Sequence, residues 1–224
     1  MEELKSLNYH LPKNSILVTF DDGYKNNYTN AFPILKKYNV KATIFLNTKY
    51  IEKDESYLNW DEIKEMYKSG LIDFQMHTHA HSPTIRKPEI KGFFLKDEGE
   101  FVNREYFTIF SGNTKEKDFR KFDFTGLPVF KIRSQISIKG YKLKENFLYE
   151  YKELIKKNEF KNLSTLNQKK YLNHELKKNC KKYFEKVTDE EFKEKLIFEI
   201  TENKKKIEEK LNKKGEYLAY PWGH

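Results

Sequence analysis

The chain has 224 residues, 38% hydrophobic and 34% charged, with one cysteine and a formal net charge of +9. That length buries one good core or forms part of a larger single domain, and a lone Cys180 excludes both an internal disulfide framework and a cysteine-rich zinc site. Residues 151–214 hold 19 lysines against 12 acids, so most of the positive charge lies on a helical stretch, where it reads as a solvated face and not as a nucleic-acid site.

In chain order, the N-terminus Met1-Glu2-Glu3-Leu4-Lys5 lacks a basic start followed by an apolar core, and no apolar run reaches membrane-spanning length. As written, the chain therefore reads as cytoplasmic, neither exported nor membrane-spanning. Residues 16–20 form an apolar, β-rich run that ends in Asp21-Asp22-Gly23, a strand delivering two carboxylates at its C-terminal edge. Gly23 permits a sharp turn, so both acids can point into one small volume, where they bind a cation or share a proton. A helix is expected over residues 28–38 with Asn39 as a left-handed stop, then a strand over residues 40–47. Asn59 caps a second helix with Glu62 three residues on; Ile63, Met66 and Tyr67 share its inner face, and Gly70 ends it. Residues 71–76 are a third strand, leading into His77-Thr78-His79-Ala80-His81. Alternating strands and helices imply a parallel α/β arrangement, in which ligands gather at the carboxyl ends of the strands.

Residues 88–160 carry many phenylalanines without a sustained period, broken by Gly112, Gly126, Pro128 and Gly140, and read as an insertion of loops and short strands. Its rings either pack a satellite core, the blander reading, or stack on sugars over a site. A helix is expected over residues 165–183, and Thr188 with Glu191 is a capping box for another. In that last helix Phe192, Leu196, Ile200, Asn203, Ile207 and Leu211 form one stripe. Residues 216–220 return as a strand, before Pro221-Trp222-Gly223-His224.

Catalytic zinc commonly takes three His or carboxylate ligands and leaves one position open, and Asp22, His77 and His81 supply such a set. His77 and His81, four apart, converge if the loop turns helically, whereas His77 and His79 diverge on an extended chain. Three of the six histidines fall within these five residues. Of the others, His174-Glu175 begins like a zincin motif but lacks a second His four residues after the first, so it reads as helix surface. His10 lies in an unpatterned segment. Cys180 reads as a small buried hydrophobe.

Thr19-Phe20-Asp21-Asp22-Gly23, residues 77–81 and Tyr220-Pro221-Trp222-Gly223 resemble the first three motifs of the NodB-type polysaccharide deacetylases, carbohydrate esterase family 4. Lys41-Ala42-Thr43-Ile44-Phe45-Leu46 and Asn59-Trp60-Asp61-Glu62 resemble that family's second strand and second helix. The likeness is close over residues 16–83 and looser over 188–223. It implies an α/β fold, a partial or distorted (β/α) TIM-like barrel, with residues 1–224 as a single incomplete domain and residues 88–160 inserted in it. It further implies a metal-dependent hydrolase that removes N-acetyl groups from an acetylated amino sugar or polysaccharide. Asp22, His77 and His81 would hold the divalent metal, Zn2+ first, with cobalt, nickel and iron open. Asp21 would be the general base, the backbone N–H of Trp222 the oxyanion donor, and Pro221 the residue fixing that turn. Two departures stand out. Ala219 replaces the Arg that many members carry two residues before the proline, with Arg133 and Arg86 as substitutes, and the histidine that protonates the leaving amine is expected beyond residue 224. The competing readings are an impaired remnant that binds metal or glycan without turnover, and a metal amidohydrolase acting on a small non-sugar amide.

Overall fold

The computed structural model describes residues 14–95 and 104–223; His10, Phe101 and His224 lie outside them. Contacts divide the chain into two units, one made of residues up to His77 with Asn203–Ala219, the other of Thr78–Glu202 with the C-terminal residues from Tyr220.

The first unit is built on three parallel strands in the order β1 (Val18–Phe20), β2 (Ala42–Leu46) and β3 (Ile72–Met76). Val18 pairs with Ala42 and Ala42 with Ile72, so the three strands start in register; β2 and β3 end together at Leu46 and Met76, and β1 ends two residues earlier, at Phe20 opposite Ile44. The strand expected from residue 16 begins two residues later. Ile16 and Leu17 are exposed, because β1 is an edge strand and only Val18–Phe20 has a partner in β2.

A π-helical turn, Asn27–Ala31, leads into helix α1 (Phe32–Tyr38) where one continuous helix is expected. Pro33 offers no N–H to the preceding turn, and a wider turn accommodates its ring. Asn39 ends α1 at φ 52°. Helix α2 (Trp60–Lys68) starts at the capping box expected from Asn59 and Glu62, with both reciprocal hydrogen bonds formed. Ile63 and Met66 of α2, Phe32 and Leu35 of α1, and Ile44, Leu46 and Phe74 of the sheet close one core.

The second unit holds an antiparallel sheet in the order β5-β4-β6-β7: β4 is Pro83–Phe93, β5 Pro128–Ser134, β6 Tyr141–Leu143 and β7 Phe184–Lys186. Around it lie helices α3 (Arg104–Phe110), α4 (Phe147–Lys156) and α5 (Thr165–Lys178). The stretch read as loops and short strands thus holds the second half of an 11-residue strand and helices of seven and ten residues. Pro88 disguises β4: the register to β5 shifts between Ile85 and Ile90, and that irregularity seats a residue with no N–H to donate. The aromatic residues pack a full core. Phe94, Phe110, Phe124, Phe130, Phe147 and Phe184 are all buried, several in edge-to-face pairs such as Phe122 with Phe124 at 4.6 Å. Cys180 packs partly buried against that core, and His174 sits exposed on α5.

Helix α6 (Asp189–Leu211) begins at the expected capping box: Glu191 N–H donates to Thr188 Oγ1, and Thr188 N–H to the Glu191 carboxylate. Its inner stripe differs at one position from expectation, because Glu199 is 3% exposed while Ile200 is half-buried. Beyond α6, the strand expected over 216–220 shrinks to one parallel bridge between Leu218 and Met76. Gln75 explains this: its side-chain oxygen accepts the N–H groups of both Glu216 and Tyr217, at 3.1 Å each, in place of a backbone ladder. Helices and a parallel sheet place the chain among α/β folds, but the described residues form sheets of three and four strands and close no barrel. A barrel needs a continuous ring of pairing, and the second sheet runs antiparallel. None of the described helices is long and apolar enough to cross a membrane.

Candidate metal centre

Asp21 and Asp22 leave the carboxyl end of β1 in a turn closed by Gly23 N–H donating to Asp21 C=O at 2.9 Å. Gly23 is required there twice over, since its φ is +78° and a Cβ would lie 2.7 Å from Leu46 Cδ2. The next strand supplies support: Asn47, just past β2, donates its amide N–H to Asp22 Oδ1 at 2.6 Å.

His77 follows β3, 2% exposed, with Nε2 lying 3.6 Å from Asp22 Oδ1 and 4.0 Å from Asp21 Oδ2. Nδ1 of the same ring is 3.0 Å from the carbonyl oxygen of Ala219. A carbonyl can only accept, so Nδ1 carries a proton and Nε2 is the ring nitrogen that faces the two carboxylates. Ala219 is itself pinned by donating its N–H to Met76 C=O at 3.0 Å. The residue that marks a departure from the family at the side-chain level thus contributes through its backbone, which no reading of side-chain types would show.

His81 is buried, its ring edge-on to Trp222 at 4.4 Å, and its Nδ1 lies 3.2 Å from the Glu105 carboxylate on α3. A carboxylate beside Nδ1 is the arrangement that leaves Nε2 for a ligand role. Glu105 was missed in the sequence because it is one acid among many in a stretch without period. His79 sets its ring edge-on to Phe198 at 5.6 Å. Asp22 and His77 each offer a ligand atom in the first unit, 3.6 Å apart, and His81 offers one in the second.

Backbone strain collects at these residues. Eight described non-glycine residues have positive φ, and four of them are Asp22 (70°), Thr78 (72°), His81 (50°) and Trp222 (58°). Such conformations cost about 1–3 kcal/mol each and persist where surroundings over-determine them, as at ligand clamps. Thr78 is β-branched, which makes its left-handed φ the costliest. Pro221 is buried, and the turn after it is closed by Gly223 N–H donating to Tyr220 C=O at 3.1 Å.

The model of the polysaccharide deacetylase family matches residues 8–102. Poly-β-1,6-N-acetyl-D-glucosamine N-deacetylase of Staphylococcus aureus is 47% identical over 73 residues, which is 30% of this chain and 25% of that protein. The enzyme of the same name from Staphylococcus epidermidis is 44% identical over 72 residues, again 30% of this chain and 25% of that protein. Two solved structures share the fold at 16% identity. The de-N-acetylase of Aggregatibacter actinomycetemcomitans gives a TM-score of 0.57 over 100% of this chain and 60% of its own, and the BpsB deacetylase domain of Bordetella bronchiseptica 0.56 over 99% and 61%. The match thus spans about a quarter of the curated relatives. The Asp-Asp-Gly turn and the His-Thr-His-Ala-His loop both lie inside residues 8–102, the part of the chain that matches the polysaccharide deacetylase family.

Proposed function

We propose that this chain hydrolyses N-acetyl groups of a β-1,6-linked N-acetylglucosamine polymer, or a closely related acetylated amino-sugar chain, with a divalent metal, Zn2+ first. The observation that carries the proposal is the convergence of Asp21 and Asp22 on Nε2 of His77. Donors bound at about 2.0–2.2 Å to one tetrahedral zinc stand roughly 3.3–3.6 Å apart. The 3.6 Å edge between Asp22 and His77 fits that spacing, and with Nδ1 engaged by the Ala219 carbonyl, Nε2 is the nitrogen left for metal. Asp22, His77 and His81 would hold the ion. When bound, it polarises the amide carbonyl and lowers the pKa of water toward about 7.

Asp21 has the role of base. Its side chain is 55% exposed against 21% for Asp22, so it faces the side from which water and substrate arrive, and it takes the proton from the attacking water. Attack on the amide carbon creates a tetrahedral oxyanion. The backbone N–H of Trp222 is the donor we assign to that charge, with Pro221 fixing the turn.

Protein loaded with Zn2+ and given poly-β-1,6-N-acetylglucosamine is expected to release acetate and to hold about one equivalent of metal per chain, and to lose both in a His77→Ala/His81→Ala double variant. Unchanged metal content or unchanged acetate release in that variant would reject the site.

A further inference from the structure

We infer that Glu199 is a positioning residue for His81, holding residues 78–81 in the strained turn that presents the imidazole; this rests on the reading of His81 as a ligand. Glu199 is 3% exposed on α6, yet its side chain makes two hydrogen bonds to the surroundings of this loop. One carboxylate oxygen accepts Ala80 N–H at 2.7 Å and the other accepts the Gln135 side-chain amide at 2.8 Å. The backbone carbonyl of the same residue accepts His79 N–H at 3.0 Å. Two successive amides of the loop therefore end on one helical residue.

Gln135 extends the hold to the loop's exit. Its backbone N–H donates to Ser82 C=O at 3.0 Å, and its side-chain oxygen accepts from Lys195 at 3.3 Å. The loop contributes His81 N–H donating to Thr78 Oγ1 at 3.2 Å. Thr78 lies at φ 72° and His81 at φ 50°, strained conformations that persist where the surroundings over-determine them. A buried carboxylate with both oxygens engaged supplies that constraint. An alanine offers no acceptor. A glutamine offers one acceptor and turns its amide N–H toward a group that is itself a donor.

The test compares the full chain with Glu199→Ala and Glu199→Gln by hydrogen exchange and by Zn2+ affinity in competition with a chelator. In Glu199→Ala, amides 79 and 80 are expected to exchange at least about tenfold faster while β1, β2 and β3 keep their protection. Zn2+ affinity is expected to weaken about 10–100-fold, the range typical of residues that orient a metal ligand, with Glu199→Gln in between. Wild-type exchange at 79 and 80 in both variants would overturn the proposal, as would wild-type Zn2+ affinity in a Glu199→Ala chain with intact strand protection. Should Glu199→Ala lose strand protection as well, the near-isosteric Glu199→Gln decides by the same two readouts. Absence of Zn2+ binding in the wild type would instead reject the metal reading, and with it the assignment of His81 that Glu199 serves, while exchange at 79 and 80 still reports the hold on the loop.

Discussion

Asp21 and Asp22 are adjacent and chemically identical, and their surroundings separate them. Asp22 is the more enclosed, takes the Asn47 amide and lies nearer His77, whereas Asp21 is over half exposed. The division of labour predicts opposite phenotypes. Asp21→Asn should keep its metal and lose turnover by roughly 10²–10⁴-fold, the contribution of a general base, while Asp22→Asn should lose the metal. Metal content and acetate release measured on the same preparations check this, and the reverse pattern would exchange the two roles. The same scale holds the groups that no motif announces. Ala219 C=O engages His77 Nδ1, and Glu105 stands beside His81 Nδ1.

Elements bring these residues together by ending in the right places. β1, β2 and β3 are in register, so Asp22, Asn47 and His77 emerge at the same edge of the sheet. α2 packs Ile63 and Met66 into the core under these strands, and it starts at Asn59, whose side chain accepts Glu62 N–H at 2.9 Å while its own N–H is taken by the Glu62 carboxylate. Asn59→Ala should therefore lower stability by about 1 kcal/mol, the usual value for a lost N-cap, without changing Zn2+ affinity. Urea unfolding of the two proteins measures it; an unchanged midpoint would mean the capping box contributes nothing net. α6 carries two polar residues on the face that otherwise packs apolar side chains. Asn203 donates to Leu46 C=O at 2.9 Å and to Thr48 Oγ1 at 3.0 Å, and Glu199, four residues earlier, receives the amide of Ala80. A carboxylate at a stripe position, flanked by Leu196 and Asn203 at helical spacing, was the sequence signal for Glu199. The stripe read through Ile200 instead passed over it.

For the molecule as a whole, metal and fold are coupled if Asp22, His77 and His81 bind one ion, because the unfolded chain has no such set. Zn2+ at about 100 times its dissociation constant should stabilise the folded chain by about 2.7 kcal/mol. For a chain of this size that corresponds to a rise of roughly 5–11 °C in melting midpoint, reversed by a chelator. Equal midpoints with and without Zn2+ would show that binding is absent or does not favour the folded state.

The sequence by itself determined the three parallel strands and the caps at Asn39, Asn59 and Thr188, since each rests on local chemistry: β-rich runs, a left-handed stop and side chains that bond nearby backbone. The second sheet was not legible there. Its β4 is masked by Pro88 at a register shift, and aromatic residues of an antiparallel core need not repeat at any period. Nor could residue types reveal that a carbonyl of Ala219 fixes a histidine 142 positions away, or that Glu199 holds the histidine loop. Such bonds join groups far apart along the chain, and a backbone carbonyl carries no signature of the side chain it will meet. Those choices belong to tertiary packing, which alone decides which buried donor finds which acceptor.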